Sequence, residues 1–195
     1  IVPKLPPSLE TFYCIDLTGV ELIVPLLPPT LHKLSIGAYL KYSDGPRSPQ
    51  NILEQLPKGL TWFIVPRSSE INLEANPEAA LLLPTTLAEL HIGQPLPCSS
   101  WSLLPPRLTS LSIHGSSDFL TLEMISNHHG VHRQVKSIPF DHLPKSLSRL
   151  ELIGGSCFSG PPITSNLPYF PPHLTFLKIP DLQMSPQTAR LLPSS

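Results

Sequence analysis

One ten-residue phrase occurs seven times in this chain, and any fold it adopts must accommodate all seven copies. The phrase runs Leu (once Phe), Pro, two variable residues, Leu, two variable residues, an apolar residue, one variable residue and a last apolar residue. It reads LPPSLETFYC from Leu5, LPPTLHKLSI from Leu27, LPKGLTWFIV from Leu56, LPTTLAELHI from Leu83, LPPRLTSLSI from Leu104, LPKSLSRLEL from Leu143 and FPPHLTFLKI from Phe170. An eighth copy begins at Leu192-Pro193-Ser194-Ser195. Repetition at a period of some 20 to 50 residues predicts a solenoid, in which each unit buries its apolar edge only against its neighbours.

Composition is consistent with that reading. The chain has 195 residues, 41 % of them hydrophobic, enough for one sizeable core. Its 26 prolines would point to disorder if scattered. Many of them instead recur at fixed places in the phrase, which makes them structural punctuation. Only 14 % of residues are charged, the formal net charge is −1, and no basic run occurs. Nucleic acid and anionic membrane, which select Lys/Arg clusters, are therefore not expected as partners. No apolar stretch is long enough to span a bilayer, and no signal-peptide pattern opens the chain. The chain starts at Ile1 inside one repeat and stops inside another, so residues 1–195 are expected to be a single solenoid excerpted from a longer array. Three cysteines, Cys14, Cys98 and Cys157, do not form a disulfide framework, and Cys14, in the last apolar slot of its phrase, is expected to be a buried thiol. With no Asn-x-Ser/Thr sequon, the expected location is intracellular, in the cytoplasm.

Each phrase should end in a strand. In Leu31-His32-Lys33-Leu34-Ser35-Ile36, apolar Leu34 and Ile36 alternate with polar Lys33 and Ser35, the pattern of a half-buried strand. The same holds for Leu90/Ile92, Leu111/Ile113, Leu150/Leu152 and Leu177/Ile179, and more loosely for Phe63/Val65 and Phe12/Cys14. Proline lacks an N–H and biases its predecessor to an extended shape, so it can lead a chain into a ladder but cannot sit within one. Between strands, Ser48-Pro49, Asn76-Pro77 and Ser185-Pro186 each place a capping residue before a Pro at the first helical position. These predict helical turns of one or two turns on the side opposite the free sheet face. The expected unit is strand, loop, short helical turn, strand, with a parallel sheet of about seven strands.

The phrase resembles the leucine-rich repeat, whose strand signature is Leu-x-x-Leu-x-Leu, and its opening Leu-Pro-x-x-Leu is closest to the short bacterial-type repeats and related repeats of lower eukaryotes. The resemblance implies an α/β solenoid with strands on a concave side and loops and short helical turns on a convex side. Two features depart from the family. Its Asn, eight residues after the closing Leu of Leu-Pro-x-x-Leu, is replaced by Leu17, Tyr39, Ser68, Pro95, Ser116, Gly155 and Leu182. Ser68 and Ser116 are candidates for part of the role of the missing asparagine ladder. Repeat length also wanders, from 21 residues between Leu83 and Leu104 to 39 between Leu104 and Leu143. An irregular arc is expected, with a long outer-loop insertion at about 115–142.

Alternation places Thr11, Tyr13, Lys33, Ser35, Trp62, Ile64, Glu89, His91, Ser110, Ser112, Arg149, Glu151, Phe176 and Lys178 on the face turned away from the core, followed by His114 and Ile153. They mix aromatics, both charge signs and small hydroxyls, while the core positions hardly vary. A constant scaffold that presents varied side chains is suited to binding proteins. The candidate partner-binding residues are Tyr13, Lys33, Trp62, Ile64, Glu89, His91, His114, Arg149, Glu151, Phe176 and Lys178. Trp62 heads them because Trp, Tyr and Arg dominate interface hot spots; packing on a neighbouring loop or on Lys33 is its purely structural alternative. For the charged residues the alternative is a solvated mixed-charge face.

Signals for chemistry are weak. His128, His129 and His132, with Asp141 and His142, have spacings that can bind a transition metal. No Cys-x-x-Cys or His-Glu-x-x-His accompanies them, so a polar outer loop is expected, packed back by the apolar run Phe119 to Ile125. Gly154-Gly155-Ser156-Cys157 matches neither a P-loop nor a nucleophile elbow, and Trp101 is expected to pack under the outer surface. No catalytic constellation, metal site, cofactor or small-molecule substrate is expected. The chain is read as a non-enzymatic protein-interaction module. The alternative is the substrate-recognition part of a larger F-box-type ubiquitin ligase or effector enzyme, since leucine-rich repeats often adjoin such domains.

Overall fold

Each of the seven complete Leu-Pro phrases folds as a tight turn followed by one short strand. The computed structural model describes residues 5–14, 23–36, 50–65, 73, 76–93, 96, 98–114, 122–127, 130–135, 140–153 and 170–179. In all seven phrases the Pro carbonyl accepts a hydrogen bond from the N–H of the Leu three residues on, at 3.0–3.1 Å: Leu9 to Pro6, Leu31 to Pro28, Leu60 to Pro57, Leu87 to Pro84, Leu108 to Pro105, Leu147 to Pro144 and Leu174 to Pro171. Pro7, Pro29, Pro106 and Pro172 occupy the second position of this turn, where a ring-fixed φ is pre-organised.

The strands that follow are β1 (Thr11–Cys14), β2 (Lys33–Ile36), β3 (Trp62–Val65), β4 (Glu89–Ile92), β5 (Ser110–His114), β8 (Arg149–Ile153) and β9 (Phe176–Lys178). They form one seven-stranded sheet in chain order, with every pairing parallel. Equivalent residues of successive phrases stand opposite each other. The inward set Leu34, Ile36, Phe63, Val65, Leu90, Ile92, Leu111, Ile113, Leu150 and Leu152 is 3 % exposed or less. At the sheet edges Phe12, Cys14 and Leu177 are only partly buried, yet still pack on the core. Cys14 is a free thiol.

Among the described residues the return path is helical but mostly 3-10: Val24–Leu26, Pro77–Leu82, Cys98–Leu103 and Phe140–His142, with Gln50–Glu54 a short α-helix. Segments too short to persist alone are held by packing. Each contributes a buried residue three positions before its phrase Leu: Val24, Leu53, Ala80, Trp101 and Phe140, all 2 % exposed or less. The carbonyl of that residue accepts the N–H of the phrase Leu at 3.1–3.4 Å. The core therefore lies between the sheet and these segments. Pro77 opens its segment as expected, but Asn76 before it makes no side-chain capping bond.

The long insertion departs from the expected loop. Leu122–Asn127 (β6) and Gly130–Val135 (β7) pair antiparallel as a separate hairpin, with Asn127 opposite Gly130. Alternation is only partial here: Leu122 and Met124 flank Glu123 but Ile125 follows directly, and Arg133 stands in the slot between Val131 and Val135. The insertion also ends before residue 140, because Phe140–His142 is the return turn of the next phrase. Ser68, Ser116, His128, His129, Gly154 to Cys157, Pro186 and the eighth copy lie outside the described residues.

Two ladders of hydrogen bonds join successive phrases. The carbonyls of Glu10, His32, Thr61, Ala88, Thr109 and Ser148 each accept two N–H groups from the next phrase, at 2.8–3.1 Å. Hydroxyls of Thr61, Thr109, Ser148 and Thr175 donate to four of those same positions, His32, Ala88, Thr109 and Ser148. In the turns, the hydroxyl of Thr30 lies 2.8 and 3.1 Å from the carbonyl oxygens of Pro7 and Leu9. Thr86 repeats the contact on Lys58 and Leu60, and Ser146 on Pro106 and Leu108.

Gly59 holds the same turn position as Thr30 and Thr86 but has no hydroxyl. A Cβ there would meet Pro29 O at 3.6 Å, an ordinary contact. Gly59→Thr should therefore stabilise the chain. Less unfolded-state entropy and one added hydrogen bond together give about 1–2 kcal/mol. For a chain of this size that raises the thermal midpoint by roughly 2–4 °C per kcal/mol. A lowered midpoint would mean that the turn cannot accept a side chain.

Candidate functional site

The free face of the sheet carries two rows of side chains that run across all seven strands. Strand pairing places Thr11, Lys33, Trp62, Glu89, Ser110, Arg149 and Phe176 in one row, and Tyr13, Ser35, Ile64, His91, Ser112, Glu151 and Lys178 in the next. A partial third row begins with His114 opposite Ile153. At about 4.8 Å between strands, each full row spans about 29 Å. The alternation thus puts every candidate residue on this face. Tyr13, Lys33, Glu89, His114, Arg149, Phe176 and Lys178 are exposed, while Trp62, Ile64, His91 and Glu151 are partly buried.

The rows divide into two unlike ends. On β1 to β4 the rings cluster: Tyr13 and Trp62 meet edge to face, with centroids 5.6 Å apart and planes at 74°. Trp62 also lies 6.2 Å from His91, tilted by 55°. Tyr13 and Trp62 belong to strands two apart, so their rings meet across β2, where the small Ser35 leaves room. Among the described residues, the rings that Trp62 meets are those of Tyr13 and His91, and Lys33 is its register neighbour on β2. The pairing was hidden in the sequence because it is diagonal; only the strand order and the small residue between the rings could have signalled it. Tyr13 remains 58 % exposed, an unusual state for so large a ring.

Burial holds the His91 imidazole below its ordinary pKa. Glu89 and Glu151 pull it upward, and His114 and Arg149 push it down. Desolvation outweighs the carboxylates, so His91 is neutral at pH 7 and adds no charge to the ring cluster.

On β8 and β9 the chain pairs its own charges. The Arg149 guanidinium donates to Glu151 and lies over the Phe176 ring, 3.9 Å from its centroid. Lys178 Nζ is 4.0 Å from the other oxygen of Glu151. Between the two ends, β5 offers Ser110 and Ser112. The Ser112 hydroxyl is 2.9 Å from His114 Nε2 and, at 2 % exposure, is covered rather than presented. Phe176 and Trp62 form no common pocket, as their strand separation implies.

The histidine-rich segment does not assemble a site among the described residues. Asp141 and His142 are exposed and 3.9 Å apart, and the backbone of His132 lies in β7. No group of three or more His, Cys, Asp or Glu side chains that could hold a metal comes together among the described residues. No helix among them is long and apolar enough to cross a membrane. Trp101, on the return path, is fully buried and donates its indole N–H to Leu96 O at 3.2 Å.

No protein-family model, curated protein or solved structure matches this chain.

Proposed function

We propose that the chain is a leucine-rich-repeat-type solenoid that binds a protein partner on the free face of its sheet and catalyses no reaction. One observation carries this reading: an almost unvarying aliphatic set faces the core, while the opposite face sets Tyr, Trp, Lys, Glu, His, Arg and Phe in two registered rows. Stability needs the first set and makes no demand on the second. Exposed aromatic and arginine side chains are the types that dominate hot spots. The family's asparagine is absent, and the Ser/Thr hydroxyl ladders supply bonds between repeats in its place.

Partner capture from the native source tests the reading. Trp62→Ala should weaken capture by about 2 kcal/mol or more, roughly thirtyfold. The combined Trp62, Glu89, Arg149 and Phe176 to Ala variant should abolish it. Undiminished capture by that variant, with its circular dichroism unchanged, would remove the face from the function.

A further inference from the structure

The two ends of the free face treat rings and charges in opposite ways. At β8 and β9 a ring is flanked by the chain's own cation: Arg149 and Phe176 are register partners, and the guanidinium sits on the ring. At β3 and β4 a ring is flanked by the chain's own anion: Trp62 and Glu89 are register partners. Among the described residues no guanidinium or ammonium lies over Trp62 or Tyr13, and Glu89 has no ion-pair partner. Tyr13 meets Trp62 edge to face from the β1 side, with the planes at 74°, and Glu89 stands on the β4 side of Trp62, whose ring face is electron-rich.

We propose that Trp62, with Glu89 beside it in register on β4, receives a basic side chain, arginine or lysine, of the protein partner. The inference rests on the protein-binding reading above and names what the partner brings to this end. A cation set against Trp62 on its β4 side gains the ring quadrupole and the Glu89 carboxylate together, the arrangement Phe176 and Glu151 already provide for Arg149 within the chain. His91, the third ring, is uncharged at pH 7 and does not oppose it. Lys33, in register with Trp62 on the other side, does oppose it, and this gives the proposal a second handle.

N-acetyl-arginine amide is the probe, with N-acetyl-norleucine amide as its uncharged counterpart. The readout is the pair of indole N–H resonances in the intact chain. Trp62 should shift saturably with millimolar arginine amide, while Trp101, buried and bonded to Leu96, stays still as the internal reference. Glu89→Gln should weaken the arginine response about two- to fivefold, and Lys33→Ala should strengthen it by a similar factor. A silent Trp62 resonance, or an equal response to the norleucine amide, overturns the proposal. If Trp62→Ala still abolishes capture of the native partner in that event, the surface stands and only the cation assignment falls.

Discussion

Trp101→Ala should lower the free energy of unfolding by about 3–5 kcal/mol, the range for removing a large buried aromatic. Trp101 is fully buried on the return path, 6.4 Å from Phe140, which in turn stacks at 4.7 Å on Phe170. The substitution opens a cavity beneath three consecutive phrases and leaves the buried carbonyl of Leu96 without its donor. Domains are stable by only about 5–15 kcal/mol in total, so the loss is a large share of what holds this one together. Trp101→Phe separates the two contributions: it keeps a ring against Phe140 but not the N–H, and should cost about 1–3 kcal/mol. Urea denaturation of the three proteins decides the matter. A loss under about 1 kcal/mol for the Ala variant would mean that the helical segments cover the sheet without supporting it.

The same residue shows where sequence reading worked and where it stopped. The strands were legible because Leu-Pro, the closing Leu and the alternating pair recur at constant offsets, so register follows once neighbours pair. The position three before each phrase Leu is as regular in space, yet Val24, Leu53, Ala80, Trp101 and Phe140 share only apolarity and range from the smallest side chain to the largest. A pattern so variable in volume does not read as one column until the core is seen. Volume is matched across neighbours rather than repeated.

The β6–β7 hairpin was missed for a different reason. Its alternation is interrupted by charged and histidine residues and belongs to no phrase, so its composition read as a polar loop. Backbone hydrogen bonding joins the two adjacent segments, and no side-chain pattern is needed to announce it. The ring contact between Tyr13 and Trp62 was out of reach because it joins different rows on strands two apart. The hydroxyl ladders could have been found: Thr30, Thr86 and Ser146 share one turn position, and Thr61, Thr109, Ser148 and Thr175 share the place after the closing Leu. Their meaning depended on knowing that the preceding phrase presents a carbonyl there.

A pair of adjacent substitutions tests the division between core and free face most severely. Leu111→Asp should unfold the chain at pH 7, while Ser110→Asp should change stability by no more than about 1 kcal/mol. Leu111 is fully buried in β5, between Leu90 and Leu150. A carboxylate there finds no cation among the aliphatic side chains of its row, and burying an unpaired charge costs several kcal/mol. Ser110 stands one residue earlier, on the other face, between Glu89 and Arg149, where a new carboxylate meets one charge of each sign and stays hydrated. The defect in Leu111→Asp should also shrink in acid. Burial raises the carboxyl pKa in the folded state above its unfolded value, so the folded form regains stability as pH falls through that raised value toward the unfolded one, below which the group is neutral in both states. Far-ultraviolet circular dichroism and thermal midpoints at pH 7 and pH 4 are sufficient. Equal tolerance at both positions would mean that β5 does not turn alternate residues to opposite faces, and the two-row surface would lose its physical basis.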